Sequence, residues 1–207
     1  MELQFFGANC IKLSTKHTSV VIDDNLKALG GTSAAKAGDV VAFTNKMLQS
    51  DTKEPKIIID KPGEFEVSAV SIHGIAARAH MDEEKQQNAV IYKIQTTDLR
   101  IAVVGHIHPD LNEEQLEAIG TIDVLFVPVG GNGYTLDAIG ALKVIKEIEP
   151  RIVIPTHYAD SKLNFEVPAS SLEDALKNMS MEAKETVAKL KIKEIPENME
   201  LIVLEHQ

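Results

Sequence analysis

The chain has 207 residues, 44% of them hydrophobic and 25% charged, a length and balance that suit one domain over 1–207 and exclude a wholly disordered protein. Its formal charge of −10, with no basic cluster, 4% aromatic residues and no Trp, argues against a grip on nucleic-acid backbones or stacking on single strands. No apolar run approaches the ~18 residues of a bilayer span, and Met1-Glu2-Leu3-Gln4-Phe5 lacks the basic and apolar regions of a signal peptide, so a cytoplasmic protein without membrane contact is expected.

Short β-rich runs fill the first half: Leu3 to Phe6, Cys10 to Ser14, Ser19 to Asp23, Val40 to Thr44, Lys56 to Asp60 and Glu64 to His73, each bounded by Gly, Asn, Asp or Pro. The lone Cys10 has no intrachain disulfide partner, which suits a reducing compartment, and its apolar setting predicts a buried, inert thiol. Between Glu64 and Ile72 the apolar alternation changes phase at Ala69 and Val70, which predicts a β-bulge or kink. Ala89 to Gln95 and Arg100 to Gly105 read as a hairpin across Thr96-Thr97-Asp98-Leu99.

Beyond Gly105 strands and helices alternate. Asn112 predicts an N-cap for a short helix over 113–119, with acids in its first turn and Gly120 at its end. Val124 to Val129 predicts a buried strand. Thr135 reads as the N-cap of a helix through Ile148, with apolar residues 136, 139, 142, 145 and 148, closed by Pro150. Arg151 to Pro155 predicts a strand, Ser170 to Met179 and Met181 to Leu190 helices, and Leu201 to Glu205 a last strand. There is no repeat and no low-complexity linker. The order suggests two packed sheets with helices outside.

Three stretches carry a resemblance. They are Pro62-Gly63-Glu64-Phe65-Glu66-Val67 with Ile72-His73-Gly74-Ile75; Asp123-Val124-Leu125-Phe126-Val127-Pro128-Val129-Gly130-Gly131 with Tyr134-Thr135-Leu136-Asp137-Ala138; and Glu149-Pro150-Arg151-Ile152-Val153-Ile154-Pro155-Thr156-His157-Tyr158. In this order and spacing the chain resembles the metallo-β-lactamase superfamily, in the subgroup of small proteins related to the ascorbate-phosphate lactonases. The resemblance covers about residues 1–160 and implies a single α/β domain, a four-layer αββα sandwich.

In active relatives a T-H-x-H-x-D-H run directly after a strand supplies imidazoles and a carboxylate to two zinc ions, whose bridging water becomes hydroxide near neutral pH. Here the equivalent strand, Asp39 to Phe43, is followed by Thr44-Asn45-Lys46-Met47-Leu48-Gln49-Ser50. Asn45, Met47, Gln49 and Ser50 thus stand at the ligand positions, and none is a usual zinc ligand at neutral pH. The early G-H-[AS] signature is altered to Gly7-Ala8-Asn9. His80 stands where the isolated third histidine of the family is expected, and His157 matches its final one. His106, in His106-Ile107-His108, replaces the metal-bridging Asp. The resemblance therefore leaves two functions in view. One is a hydrolase-like protein that has lost dinuclear zinc chemistry and acts as a binding or scaffold protein. The alternative is a residual hydrolase of an ester, lactone or phosphoester, with one zinc or other divalent metal on His80, His106 and His157, the open fourth position activating water. Nucleic-acid processing, known in larger relatives, is opposed by the acidic balance.

Asn45, Met47, Gln49, His108 and Asp82 are the expected pocket-lining residues, for a small-molecule ligand, and a homo-oligomer is compatible with the scaffold reading. Simpler readings stand beside these. His108-Pro109-Asp110 suits a turn into the next helix, and His73 suits a structural hydrogen bond. His17 and His206 read as surface residues, and Glu64 and Glu66 as one exposed strand face. Gly130-Gly131-Asn132-Gly133 lacks the Lys-Ser/Thr ending of a phosphate loop and suits a wide turn beside the pocket. The run 82–87 reads as a solvated loop placed to control access to His80.

Overall fold

A computed structural model describes residues 1–207. Its first sheet runs β1 (Glu2–Phe5), β2 (Ile11–Ser14), β3 (Ser19–Ile22), β4 (Val40–Ala42) and β5 (Ile57–Ile59) in sequence order, antiparallel through β3 and parallel from β3 to β5. Its outer face is covered by loops and by a 3-10 turn over Leu26–Leu29, beneath which Ala8, Cys10, Val21, Leu26, Ala34 and Leu163 pack together. Cys10 is fully buried there, and burial pushes its thiol pKa well up, which keeps it in the unreactive form.

The second sheet contains β6 (Gly63–Val67), β7 (Val70–Ala77), β8 (Ala89–Gln95), β9 (Arg100–Val103), β10 (Val124–Pro128), β11 (Ile152–Thr156), β12 (Glu185–Val187) and β13 (Glu200–Leu204). Its strand order is β12-β13-β11-β10-β9-β8-β7-β6. The phase change at Ala69 is not a bulge. Val67 pairs with Val70 in an antiparallel hairpin, and Ser68 and Ala69 between them have φ of 52° and 61°. Such a two-residue turn matches strand twist only with both residues left-handed. Glu64 and Glu66 share the exposed face of β6.

Helix α1 (Glu113–Ile119) has the expected start: Asn112 accepts from the Gln115 amide while the Gln115 side chain accepts from the Asn112 amide. The next helix, α2 (Ala138–Ile148), is capped by Asp137 rather than Thr135, the Asp137 carboxylate accepting from the Gly140 amide. Its buried face follows Ala141, Val144, Ile145 and Ile148, whereas Ile139 is exposed. A spacing of three and four holds one helical face, while a strict spacing of three drifts off it. After α3 (Leu172–Met179), residues 181–190 are not helical. Glu185–Val187 instead adds β12 beside β13, because Thr186 and Val187 gain more as an edge pair to Val203 and Leu204 than a solvated helical turn would supply. All three helices lie with the second sheet, where Val144, Ile145, Ala175 and Met179 pack against Leu125, Val127 and Val153.

The main core is the inter-sheet layer, where Phe5, Ile11, Leu13 and Ile22 meet Ile72, Tyr92, Ile101, Phe126 and Ile154. Two contacts lock the sheets in register. Tyr92 Oη, fully buried, lies 3.0 Å from the carbonyl oxygens of both Phe43 and Ile59. Gly105, at φ 59°, packs so tightly that a Cβ there would come within 2.3 Å of Thr44 Oγ1, so only glycine fits. The chain ends also cross between sheets: Leu3 bridges to Leu190, and Phe5 to His206 just past β13. No helix is long and apolar enough to cross a membrane.

Tyr92→Phe is expected to cost about 1–3 kcal/mol, because it leaves the buried Phe43 carbonyl without its donor, whereas the Ile59 carbonyl keeps the Phe43 amide. Urea unfolding measures this, and an unchanged midpoint would show that the hydroxyl does not join the sheets.

Candidate functional site

The carboxyl ends of β4, β7, β9, β10 and β11 emerge at one edge of the sandwich, where open α/β sheets place ligands. Their loops are tied to each other by backbone bonds. Val90 N donates to Thr44 O, His80 N to His106 O, His108 N to Arg78 O, and His157 N to Ala8 O. They enclose a cavity of about 330 Å³ whose wall includes Asn45, Met47, His80, Asp82, His106 and Tyr134. Met47 and Met81 stand 87% and 75% exposed at its mouth. Gln49 and His108 do not line it. Gln49 reaches out to Asp60 Oδ2, and the His108 Nδ1 faces Asp110 at the turn into α1.

His80 and His106 line the cavity, and His157 lies against His106. His106 and His157 are buried, 4.7 Å apart between ring centroids and nearly perpendicular. Tyr134 packs over both, at 5.1 and 5.6 Å, lifted there by the left-handed run Gly131, Asn132, Gly133. Phe165 backs His157, and His80 lies beside His108. Both ring nitrogens of His106, and Nδ1 of His80 and of His157, are buried without a hydrogen-bond partner. Desolvation, helped by repulsion from His157 and His80, holds His106 well below the ordinary histidine pKa, and desolvation lowers His157 to about 4. Both rings are therefore neutral at pH 7, each offering one N–H and one lone pair.

The loop after Phe43 engages its side chains elsewhere. Asn45 Oδ1 caps a 3-10 turn over Lys46–Leu48 by accepting from Met47 N, Ser50 Oγ donates to Asp24 O, and Met47 points to solvent. No group of three or more His, Cys, Asp or Glu side chains is arranged to hold a metal ion. The two-zinc donor set of active relatives is therefore not matched by the residues present. Of the trio, His80 and His106 line the cavity, while His157 lies outside its lining, packed against the His106 ring. Asp82, expected as a cavity group, both lines the wall and latches its loop, accepting from the amides of Ala79 and Asn88 and from Asn88 Nδ2.

Sequence reading passes over the acid that organises this edge. Asp23 Oδ1 accepts from Thr44 N at 2.7 Å, and Oδ2 from Thr44 Oγ1 and Asn9 Nδ2 at 2.6 Å each. Asn9 Oδ1 in turn accepts from Thr156 Oγ1, directly before His157. Burial raises the Asp23 pKa to about 6 against these donors. The only sequence signal for it is an acid placed immediately after the apolar run of β3.

The fold agrees with the comparisons. The family model described as "Beta-lactamase superfamily domain" matches residues 2–157. The chain belongs to that superfamily. Over 48 residues it is 44% identical to a UPF0173 metal-dependent hydrolase of Thermoplasma acidophilum, and over 43 residues 44% identical to one of Carboxydothermus hydrogenoformans. These matches span 21% and 19% of the length of those relatives, and 22% and 21% of this chain. The fold is similar to that of a Thermotoga maritima protein assigned to the Zn-dependent hydrolases of the metallo-beta-lactamase superfamily, with a TM-score of 0.78 and 24% identity, covering 99% of this chain and 98% of that one. It is also similar to an isothiocyanate hydrolase from Delia radicum gut bacteria, with a TM-score of 0.64 and 10% identity, covering 100% and 97%.

The buried groups predict how stability follows pH. His157 binds its proton near pH 4 when folded and near 6.5 when unfolded, so between those values the unfolded chain holds more protons and stability falls as pH falls. That shift corresponds to ~3 kcal/mol at most, and His106 acts in the same direction. Asp23 acts oppositely: its raised folded pKa makes the native state bind the proton first, adding stability as pH falls from about 6 toward 3.8. Two histidines against one acid leave a net loss. Chelator-treated protein is expected to show a falling urea midpoint from pH 7 to 4.5, and a midpoint that is level or rises would show the rings to be solvated.

Proposed function

We infer that this chain is a superfamily member that does not carry out dinuclear zinc hydrolysis and keeps the edge cavity as a binding site for a small organic molecule. The observation that carries the reading is the division of labour at that edge. Asn45, Gln49 and Ser50 are occupied with capping or loop contacts, and Met47 is exposed at the mouth. By contrast His106, which lines the cavity, and His157, packed against it, are neutral imidazoles with uncommitted nitrogens. Buried polar atoms without partners are unfavourable by about 1–3 kcal/mol each, and a ligand bearing both a donor and an acceptor relieves that penalty. The thioethers of Met47 and Met81 supply an adaptable apolar lip to such a molecule. Zinc uptake is the direct test: competition against a chromophoric chelator is expected to give no pair of tight sites. Two tightly held equivalents of zinc would sink this reading.

A second reading is favoured by the same nitrogens. If the rings of His80, His106 and His157 turn toward one another, they become the donors for a single divalent metal, which would supply Lewis-acid activation of water. It predicts metal-dependent turnover of simple esters or phosphodiesters that His157→Ala reduces by about a hundredfold or more. Turnover that survives this substitution rules the arrangement out.

A further inference from the structure

A second cavity lies across the Gly7 turn from His157, on the outer side of the first sheet. It has a volume of about 370 Å³ and is walled by Gly31, Thr32, Ser33, Lys162, Leu163 and His206. His206 is not a plain surface residue. Its side chain is 17% exposed, and its Nδ1 bonds to Asp160 Oδ2, itself on a side chain 11% exposed. That bond leaves Nε2 as the free ring nitrogen, and Nε2 neither finds a partner in the protein nor is sealed from the cavity. Gly7 makes room for the pair: it has φ 94°, and a Cβ there would come within 2.9 Å of His206 Cε1 and 3.2 Å of Asp160 Oδ2.

The remaining polar groups have complementary chemistry. Lys162 has no carboxylate partner, its ammonium lying only 3.4 Å from the His206 carbonyl. The amides of Thr32 and Ser33 donate to nothing in the protein, and they follow the left-handed Gly30. Adjacent free amides after such a turn form an anion-binding concavity. Two acids adjoin the cavity: Asp160, whose Oδ1 accepts from Lys162 N while Oδ2 faces His206, and Asp24, whose Oδ2 accepts from Ser33 Oγ and Ala35 N and whose Oδ1 is buried without a partner.

We propose that this cavity is a binding site for an oxyanion that retains a hydroxyl at neutral pH, of which hydrogen phosphate is the simplest. Its negative oxygens accept from the Lys162 ammonium and from the amides of Thr32 and Ser33. Its remaining P–OH donates to His206 Nε2, which Asp160 holds in the accepting tautomer. Sulfate carries no such hydroxyl at neutral pH and leaves Nε2 unpaired, so the site discriminates between the two anions. The site is independent of the edge cavity and of any chemistry there.

The test is calorimetric titration of the full, chelator-treated chain with inorganic phosphate, methyl phosphate and sulfate. One saturable equivalent is expected, with sulfate weaker by about tenfold, because one buried hydrogen bond is lost. His206→Ala and Lys162→Met are each expected to weaken phosphate by about tenfold or more, while Lys16→Ala, an exposed lysine elsewhere, leaves it unchanged. Methyl phosphate, mainly a dianion without P–OH at neutral pH, is expected to bind as weakly as sulfate, and affinity equal to that of inorganic phosphate would overturn the role given to the hydroxyl. Amide spectra of the unaltered chain supply a reading that needs no variant, with the Thr32 and Ser33 signals shifting on phosphate addition. Absence of saturation below about 10 mM phosphate, equal affinity for sulfate, or unmoved Thr32 and Ser33 signals would each overturn the proposal.

Discussion

The Asp23 carboxylate is the constraint on which the site edge depends. It stands at the end of β3, fully buried, and its oxygens take three donors from two other loops. A carboxylate without those donors would be intolerable in that position, so the loops must come to it. Thr44 is held by two bonds at the start of the loop after Phe43, which fixes where Asn45 begins its turn. Asn9 relays the constraint to Thr156 at the end of β11, in the other sheet. His157 follows at once, in a left-handed conformation with its amide bonded to Ala8 O. One acid thereby sets the relative position of both sheets at the end where the cavity opens.

Around that acid the electrostatic character of the edge is unusual for a chain with ten excess negative charges. Burial keeps neutral both His106, which lines the cavity, and His157, packed against it, and the nearest buried carboxylate is already occupied. Charged groups of both signs, Lys46, Lys61, Asp60 and Asp82, are confined to its walls and rim.

The sandwich was legible where one force dominated. Apolar runs bounded by Gly, Asn or Pro located the strands of both sheets, and Asn112 with Gly120 marked α1 to the residue. Reading failed where two signals competed. At Ser68-Ala69 a lost alternation was compatible with a bulge or a turn, and only the pairing of Val67 with Val70 decides it. Thr135 and Asp137 are both good caps, and the wide turn before them selects the second. Residues 181–190 contain good helix formers, yet an open strand edge beside β13 overrides local preference. For the site, the family resemblance pointed to His80, His106 and His157; the structure packs His106 against His157 and sets His80 beside His108. The neutral state of His106 and His157, the contact of Tyr134 and the role of Asp23 were not legible, since each depends on burial between segments far apart in sequence.

The crossing of the chain ends governs the order in which this protein can be completed. The free edge of β1 finds partners only at Leu190 and His206, far along the sequence. Closing loops of that length is slow, because the entropy of closure must be overcome before any contact stabilises it. β1 is therefore covered on both sides late in folding. Until then β1 presents an open strand edge, held only by its hairpin to β2, and Phe5 waits for the ring of His206 to close over it.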